Sequence, residues 1–160
     1  MIFHSIPPVY NNESKILILG SFPSVKSREV GFFYGHKQNR FWKVMAEIFS
    51  DSIPETISEK KTFLLKNNIA LWDVIASCDI EGSSDSSIKN VKINDLNVIL
   101  NNSKVSEIFA NGKKAYDLYE KYLRSKTGIK AVFLPSTSPA NAAWSFEKLV
   151  AEWRKNIAEK

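Results

Sequence analysis

The segment from Gly20 to Trp42 combines residue types that could bind a nucleobase with residue types that bind phosphate. Phe33 and Tyr34 lie between two glycines and could stack on an unpaired base, although core packing is the alternative for each ring. Between positions 15 and 43 only Glu29 is acidic, and the basic residues there are Lys15, Lys26, Arg28, Lys37, Arg40 and Lys43. This excess equals the net charge of the whole chain, +5. The coincidence favours a polyanionic partner, with a solvated surface as the alternative.

A second segment, from Leu134 to Asn141, is rich in hydroxyl groups and contains Pro135 and Pro139. Neither proline fits a helix interior, so the segment should be an extended loop with a stiff backbone. Hydroxyl groups on such a loop can donate to phosphate oxygens. A generic serine- and proline-rich loop without a ligand is the alternative.

Apolar runs and helical periodicity indicate which elements hold these two segments. Four buried strands are predicted, over Lys15–Gly20, Ile69–Ile75, Val105–Ala110 and Ala131–Leu134. Helices are predicted over Asn39–Phe49, Ser58–Asn67, Asn94–Leu100, Lys113–Leu123 and from Phe146 to Ile157, with a polar loop from Ser77 to Ser87. This alternation predicts a three-layer α/β/α fold around a four-stranded parallel sheet, with the loops after its strands meeting at one edge.

Composition limits the class of protein. With 160 residues, 44% hydrophobic and 24% charged, the chain suits one globular domain over residues 1–160. Cys78 is the single cysteine and there are two histidines, too few for a disulfide or a four-ligand zinc or iron–sulfur site, so we expect no metal and no cofactor. The sequence shows neither a signal peptide nor a membrane-spanning run. We expect a cytoplasmic, nucleoid-associated monomer without membrane contact.

Five sequence blocks in order resemble the uracil-DNA glycosylase superfamily, and most closely its hypoxanthine-DNA (deoxyinosine) glycosylase branch. The blocks are GSFPS at 20–24, FYGHKQNRFW at 33–42, ALWDVIASCDIEGS at 70–83, FANGKKA at 109–115 and LPSTSPANA at 134–142. The stretch from Asn39 to Lys43 is also similar to mismatch-specific uracil/thymine glycosylases. The resemblance implies an enzyme that flips a damaged base out of double-stranded DNA and hydrolyses its N-glycosidic bond. The sequence gives no sign of an amine nucleophile, so we expect a monofunctional enzyme without lyase activity.

The resemblance also implies roles for individual residues. Asn39 would be the catalytic residue and would orient water, with capping of the following helix as the alternative. Base contacts would come from Ser21, Phe22, Phe33, Tyr34 and Asp73, where the Asp73 carboxylate would accept from N1–H of hypoxanthine or cap a turn. DNA contacts would come from Ser24, His36, Lys113, Ser136, Ser138, Ala140 and Asn141. Asp85 and Glu81 are interpreted as solvated loop charges.

Two departures from the uracil pattern indicate the substrate. Phe22 stands where many relatives carry a water-activating aspartate or asparagine, and Leu134 stands where the second motif often opens with histidine or asparagine. Both changes suit the deoxyinosine branch and favour a deaminated purine. The alternatives are a uracil or thymine mismatch glycosylase, a non-catalytic DNA-binding module, and a hydrolase of free nucleotides, for which no phosphate-binding glycine loop is evident.

Overall fold

The computed structural model describes residues 1–157. Its strands are β1 (Ile2–Phe3), β2 (Ile16–Gly20), β3 (Ile69–Asp73), β4 (Ile75–Asp79), β5 (Lys89–Ile93), β6 (Glu107–Asn111) and β7 (Ala131–Leu134). Its helices are α1 (Val25–Val30), α2 (Phe41–Ile48), α3 (Ile57–Lys66), α4 (Asn97–Leu100), α5 (Lys113–Tyr122), α6 (Arg124–Thr127) and α7 (Phe146–Ile157), and a 3₁₀ turn spans Asp85–Ser87.

The central sheet contains four parallel strands in the order β3-β2-β6-β7. Strand β2 lies inside this sheet and is buried on both faces, which explains its uninterrupted apolar sequence. Ile18 packs into one core cluster, while Leu17 and Leu19 pack into the other, as the two-residue period of a strand requires. The predicted four-stranded parallel sheet is therefore confirmed.

Helices cover both faces of this sheet. Residues of α2, α3 and α7, among them Phe41 and Trp153, pack with Ile18. Residues of α4 and α5, among them Ile99 and Tyr119, pack on the opposite face. The predicted α/β/α layers are therefore present. The helices bury the two faces of the sheet with their apolar sides.

The predicted strand Ile69–Ile75 is wrong at its end, and the predicted polar loop Ser77–Ser87 is wrong at its start. The parallel strand stops at Asp73, and Ile75 to Asp79 form β4 of a second, antiparallel sheet of order β1-β4-β5. The Asn94 side chain donates to the carbonyl oxygens of Asp73 and Ile75, at 2.9 and 3.2 Å, and so holds the chain at this change of sheet. Because β5 is partly exposed and mostly polar, its sequence carries no strand pattern.

Several predicted helix boundaries also shift. The long segment after Gly20 contains helix α1, which Ser24 caps through its side chain and which the sequence analysis missed. Helix α2 begins at Phe41 rather than Asn39, and α4 begins at Asn97 rather than Asn94. Within residues 1–157, no helix is long and apolar enough to cross a membrane.

Candidate active site

A cavity of about 320 Å³ opens at the carboxyl edge of the parallel sheet, where the loops after β2, β3, β6 and β7 meet as expected. Eleven of the thirteen predicted site residues line it: Ser21, Phe22, Ser24, Phe33, Tyr34, His36, Asn39, Asp73, Ser136, Ser138 and Ala140. Asn141 lies beside it in the same loop as Ala140. Lys113 lies at the start of α5 and does not line the cavity.

Asn39 lines the cavity wall at the start of α2. Its Oδ1 accepts one hydrogen bond from the backbone N–H of Phe41 and another from the hydroxyl of Thr137, each 2.9 Å long. The N-cap of α2 is Arg40, which has no side-chain cap, so Asn39 closes a short turn before the helix rather than serving as the predicted cap. Its catalytic role stays a prediction.

Thr137 and Asn111 support Asn39 and were missed by the sequence analysis. The Thr137 N–H donates to Asn111 Oδ1, and Asn111 Nδ2 donates to Thr137 Oγ1, both at 3.1 Å. Thr137 is fully buried and Asn111 is 9% exposed. The sequence could have pointed to both residues, because they lie inside the blocks FANGKKA and LPSTSPANA that carry the family resemblance.

Asp73 ends strand β3, and its carboxylate is 5% exposed. His4 Nε2 donates to Asp73 Oδ2 at 2.8 Å. His4 Nδ1 accepts from the backbone N–H of Ile6 at 3.3 Å, which leaves Nε2 as the ring nitrogen that donates to Asp73. Asp73 Oδ1 lies over Gly20, where a Cβ atom would come within 2.5 Å of it. Glycine is thus required there for the carboxylate to reach the cavity.

Tyr34 lies beside Asp73 over the same glycine. Its backbone is left-handed, with φ of 53°, and its ring stacks on Phe41 with centroids 4.2 Å apart. The Tyr34 hydroxyl is buried and makes no hydrogen bond of ordinary geometry within residues 1–157, although the Asn111 side chain lies near enough to oppose the rise of its pKa. Burial, followed by the negative charge of Asp73, raises the pKa of this hydroxyl far above its ordinary value. Tyr34 therefore keeps a neutral O–H group beside the Asp73 carboxylate in the lining of the cavity.

Phe22 and Phe33 line the cavity but are largely packed into the protein, 9% and 2% exposed. The His4 ring lies edge-on to Phe22 and tilted to Phe33, with centroids 5.9 and 6.1 Å apart. Core packing therefore accounts for most of both rings. Stacking of either ring on a base stays a prediction.

Asp85 also lines the cavity and accepts a hydrogen bond of 3.0 Å from the Ser21 hydroxyl. Although the residue as a whole is exposed, desolvation of its carboxyl raises the pKa, against the opposing effects of Ser21 and Lys114. Asp85 is thus an exposed loop residue, as interpreted from the sequence, but it lies at the cavity and not apart from it. Sequence alone could not place the 3₁₀ turn that carries it against the loop after β2.

The loop after β7 is held in place by Arg40. The Arg40 guanidinium donates to the carbonyl oxygen of Asn141 at 3.1 Å and to that of Trp144. The backbone N–H of Arg40 donates to the carbonyl oxygen of Thr137. Ser136 Oγ and Ser138 Oγ each accept a backbone N–H bond two residues further on, so neither hydroxyl proton is used in these turns. Both protons can point toward a phosphate. In contrast, the Ser24 hydroxyl caps α1 and donates to Ser27 Oγ.

The basic residues that are neighbours in sequence are not all neighbours in space. Lys15 precedes β2, at the opposite edge of the sheet from the cavity. Arg40 is committed to backbone carbonyls. Lys113 is exposed and pairs with Asp117 at 2.8 Å, one turn along α5. His36 is exposed at the cavity rim, and its Nδ1 accepts from the N–H of Gln38. Part of the charge excess therefore does not face the cavity.

The fold and the cavity define an α/β/α domain with a polar ligand site at the carboxyl ends of its parallel strands. The chain belongs to the Uracil DNA glycosylase superfamily, whose family model matches residues 7–158. Two curated relatives are named hypoxanthine DNA glycosylase. The one from Methanosarcina acetivorans is 37% identical over 155 residues, 96% of each chain. The one from Methanosarcina barkeri is 34% identical over 137 residues, 84% of this chain and 85% of the relative.

A solved structure agrees with this assignment. A solution NMR structure from Methanosarcina acetivorans, described as a candidate uracil DNA glycosylase, is 34% identical and superposes with a TM-score of 0.84. The match covers 99% of this chain and 98% of that chain. The predicted superfamily and its fold are therefore confirmed.

Proposed function

We propose that this protein is a monofunctional DNA glycosylase that hydrolyses the N-glycosidic bond of a deaminated purine, with hypoxanthine as the favoured base. The observation that carries the proposal is Asp73 Oδ1, a carboxylate oxygen at the floor of a cavity on a superfamily fold. The names of the two curated relatives support the same base. The partner is double-stranded DNA containing the damaged base, and the protein acts as a cytoplasmic monomer without a cofactor.

Recognition of the base follows from the chemistry of Asp73. Hypoxanthine carries a hydrogen on N1, which can donate to Asp73 Oδ1, whereas the N1 of adenine is an acceptor that a carboxylate repels. His4 occupies Oδ2 and holds the carboxylate in place, so that Oδ1 is the oxygen left for the base. The Tyr34 hydroxyl, next to it over Gly20, supplies a donor for the carbonyl oxygen of the base.

The reaction requires few groups from the protein. A water oxygen forms a bond to C1′ of the deoxyribose, the bond from C1′ to the base nitrogen breaks, and the bonding electrons leave with the base. The water loses its proton to solvent. The protein stabilises the charge that develops on the base and fixes the geometry, with Asn39 in the cavity wall as the catalytic residue.

Polar residues at the rim of the cavity are placed to bind a DNA backbone. Ser136, Ser138 and His36 would contact phosphates, and the exposed tip at Ala140, followed by Asn141, would enter the space that the flipped base leaves. Lys113 at the start of α5 would contact a phosphate further along the strand.

The test is incubation with duplexes that carry one hypoxanthine, uracil, xanthine or ethenoadenine, followed by alkali, which cleaves abasic sites. We expect alkali-dependent scission at hypoxanthine and no product trapped by borohydride. Asn39→Ala should keep DNA binding and lose cleavage by about 10² to 10⁴. Absence of scission on every lesion would contradict the proposal and favour a DNA-binding module. Scission at uracil or thymine mismatches alone would favour the mismatch-specific class.

A further inference from the structure

The hydrogen bonds behind Asn39 form a chain whose direction is fixed at both ends by backbone N–H groups. At the far end, the Thr137 N–H donates to a side-chain atom of Asn111 at 3.1 Å, and since a backbone N–H only donates, that atom must be the amide oxygen. The amide nitrogen of Asn111 is then the atom that lies 3.1 Å from Thr137 Oγ1, where it donates.

Because Thr137 Oγ1 accepts from Asn111, its own proton is free for the 2.9 Å bond to Asn39. At the near end, the Phe41 N–H donates to the same Asn39 atom at 2.9 Å, which identifies that atom as Oδ1. Both contacts to Asn39 are therefore donations to its oxygen. With two donors on it, Oδ1 has its lone pairs occupied.

This arrangement leaves the Nδ2 amino group as the part of Asn39 that can act in the cavity. Within residues 1–157, the hydrogen bonds of the Asn39 side chain go to Oδ1 and none goes to Nδ2, and Asn39 lines the cavity wall. An amide N–H cannot accept a proton from water. It can donate to an atom that gains negative charge, as the donors of an oxyanion hole do.

We infer that Asn39 acts through its Nδ2–H as a hydrogen-bond donor to the departing base, rather than by orienting water through Oδ1, and that Thr137 and Asn111 are positioning residues that fix this orientation. The inference rests on the proposed glycosylase function. It assigns the two buried partners a part in catalysis, although neither needs to touch the DNA.

The decisive variant is Asn39→Asp, which keeps an oxygen for Thr137 and Phe41 but replaces the donor with a second oxygen. An aspartate oxygen can still accept from the Phe41 N–H and the Thr137 hydroxyl, so the fold should persist, which a melting curve checks. We expect cleavage of hypoxanthine under single turnover to fall by about 10² to 10³, as for the loss of one oxyanion donor. A carboxylate accepts a water proton better than an amide does, so a water-orienting Asn39 would give an aspartate variant as active as the wild type. That result would overturn the inference.

Thr137→Val and Thr137→Ser test the positioning residues. Valine matches threonine in shape but has no hydroxyl, whereas serine keeps the hydroxyl and loses a methyl group. We expect valine to lower the single-turnover rate roughly tenfold at unchanged DNA affinity, and serine to restore it. In an Asn39→Ala background the valine substitution should have no further effect, because the group it positions is gone.

A valine variant that lowers the rate equally in both backgrounds would show a merely structural role and contradict the assignment. Failure of this inference is distinguishable from failure of the proposed function. A wild-type protein that cleaves no lesion refutes the function, whereas a wild type and an Asn39→Asp variant that cleave equally refute only the donor role.

Discussion

His4 Nε2 lies 2.8 Å from Asp73 Oδ2, and this buried contact joins the amino-terminal segment to the end of β3 at the floor of the cavity. The two residues are 69 positions apart in the sequence. Their side chains are 3% and 5% exposed. A carboxylate so buried needs a donor, and His4 is the side chain that provides it.

Removal of the His4 donor should therefore affect both stability and catalysis. We expect His4→Ala to lower the free energy of unfolding by about 1 to 3 kcal/mol, the cost of a buried acceptor without its partner. Hypoxanthine cleavage should also fall, because Asp73 loses its fixed position. His4→Gln, which retains an N–H donor, should recover part of both. Urea unfolding and single-turnover cleavage measure the two effects, and an alanine variant equal to the wild type in both would refute the link.

Tyr34→Phe separates binding of the base from folding. Within residues 1–157 the Tyr34 hydroxyl is buried without a hydrogen bond of ordinary geometry, so its removal relieves a desolvation cost and the free energy of unfolding should stay the same or rise by about 1 kcal/mol. Cleavage of hypoxanthine should fall roughly tenfold if the hydroxyl donates to the base carbonyl. Unchanged cleavage in a stably folded variant would exclude that contact.

Asp85 should make stability depend on pH. Desolvation raises the pKa of its carboxyl in the folded protein above the value in the unfolded chain. The folded state therefore binds the proton more tightly, so this group favours folding at low pH, and that contribution is lost as the pH rises through the raised pKa. Asp85→Asn should accordingly raise the melting temperature at about pH 7 and have less effect near about pH 4. An asparagine variant with the same effect at both values would contradict the raised pKa.

Lys113 and Lys104 form a matched pair for testing the DNA-binding face. Each lysine is exposed and forms one surface ion pair, Lys113 with Asp117 at 2.8 Å and Lys104 with Glu13 at 2.7 Å. Lys113 starts α5 beside the cavity loops, whereas Lys104 lies at the opposite edge of the sheet. We expect Lys113→Ala to weaken DNA binding and to reduce the slope of log affinity against log salt by about 1, and Lys104→Ala to change neither. Equal effects would place the DNA elsewhere.

The sequence predicted the central sheet because its four strands read as short apolar runs. Strands β2, β3 and β6 are almost entirely buried, whereas β7 at the edge is apolar but exposes Phe133. The second sheet could not be predicted in this way. Strand β1 has two residues, and β5 is polar and partly exposed, so neither has a periodic apolar pattern. The antiparallel pairing of β4 depends on tertiary contacts, including those of the Asn94 side chain.

The candidate site was predictable where the sequence blocks of the family carry it, and not elsewhere. The blocks identified Asn39, Asp73 and the loop around Ser136 and Ser138. His4 was missed because a single histidine near the start of the chain has no local pattern, and its partner is distant in sequence. The orientation of the Asn39 side chain could not be predicted from the sequence either, because it depends on hydrogen bonds from Thr137 and Phe41 that form only in the folded protein.

The most direct test of the central claim is a comparison of single-turnover excision rates for hypoxanthine, uracil and adenine at the same position of one duplex, with the released base identified by mass spectrometry. Recognition of N1–H by Asp73 predicts that free hypoxanthine is released fastest and that adenine is not released. It also predicts that Asp73→Ala reduces hypoxanthine release more than uracil release. A wild-type protein that releases uracil faster than hypoxanthine, or an Asp73→Ala variant with unchanged hypoxanthine release, would contradict the account.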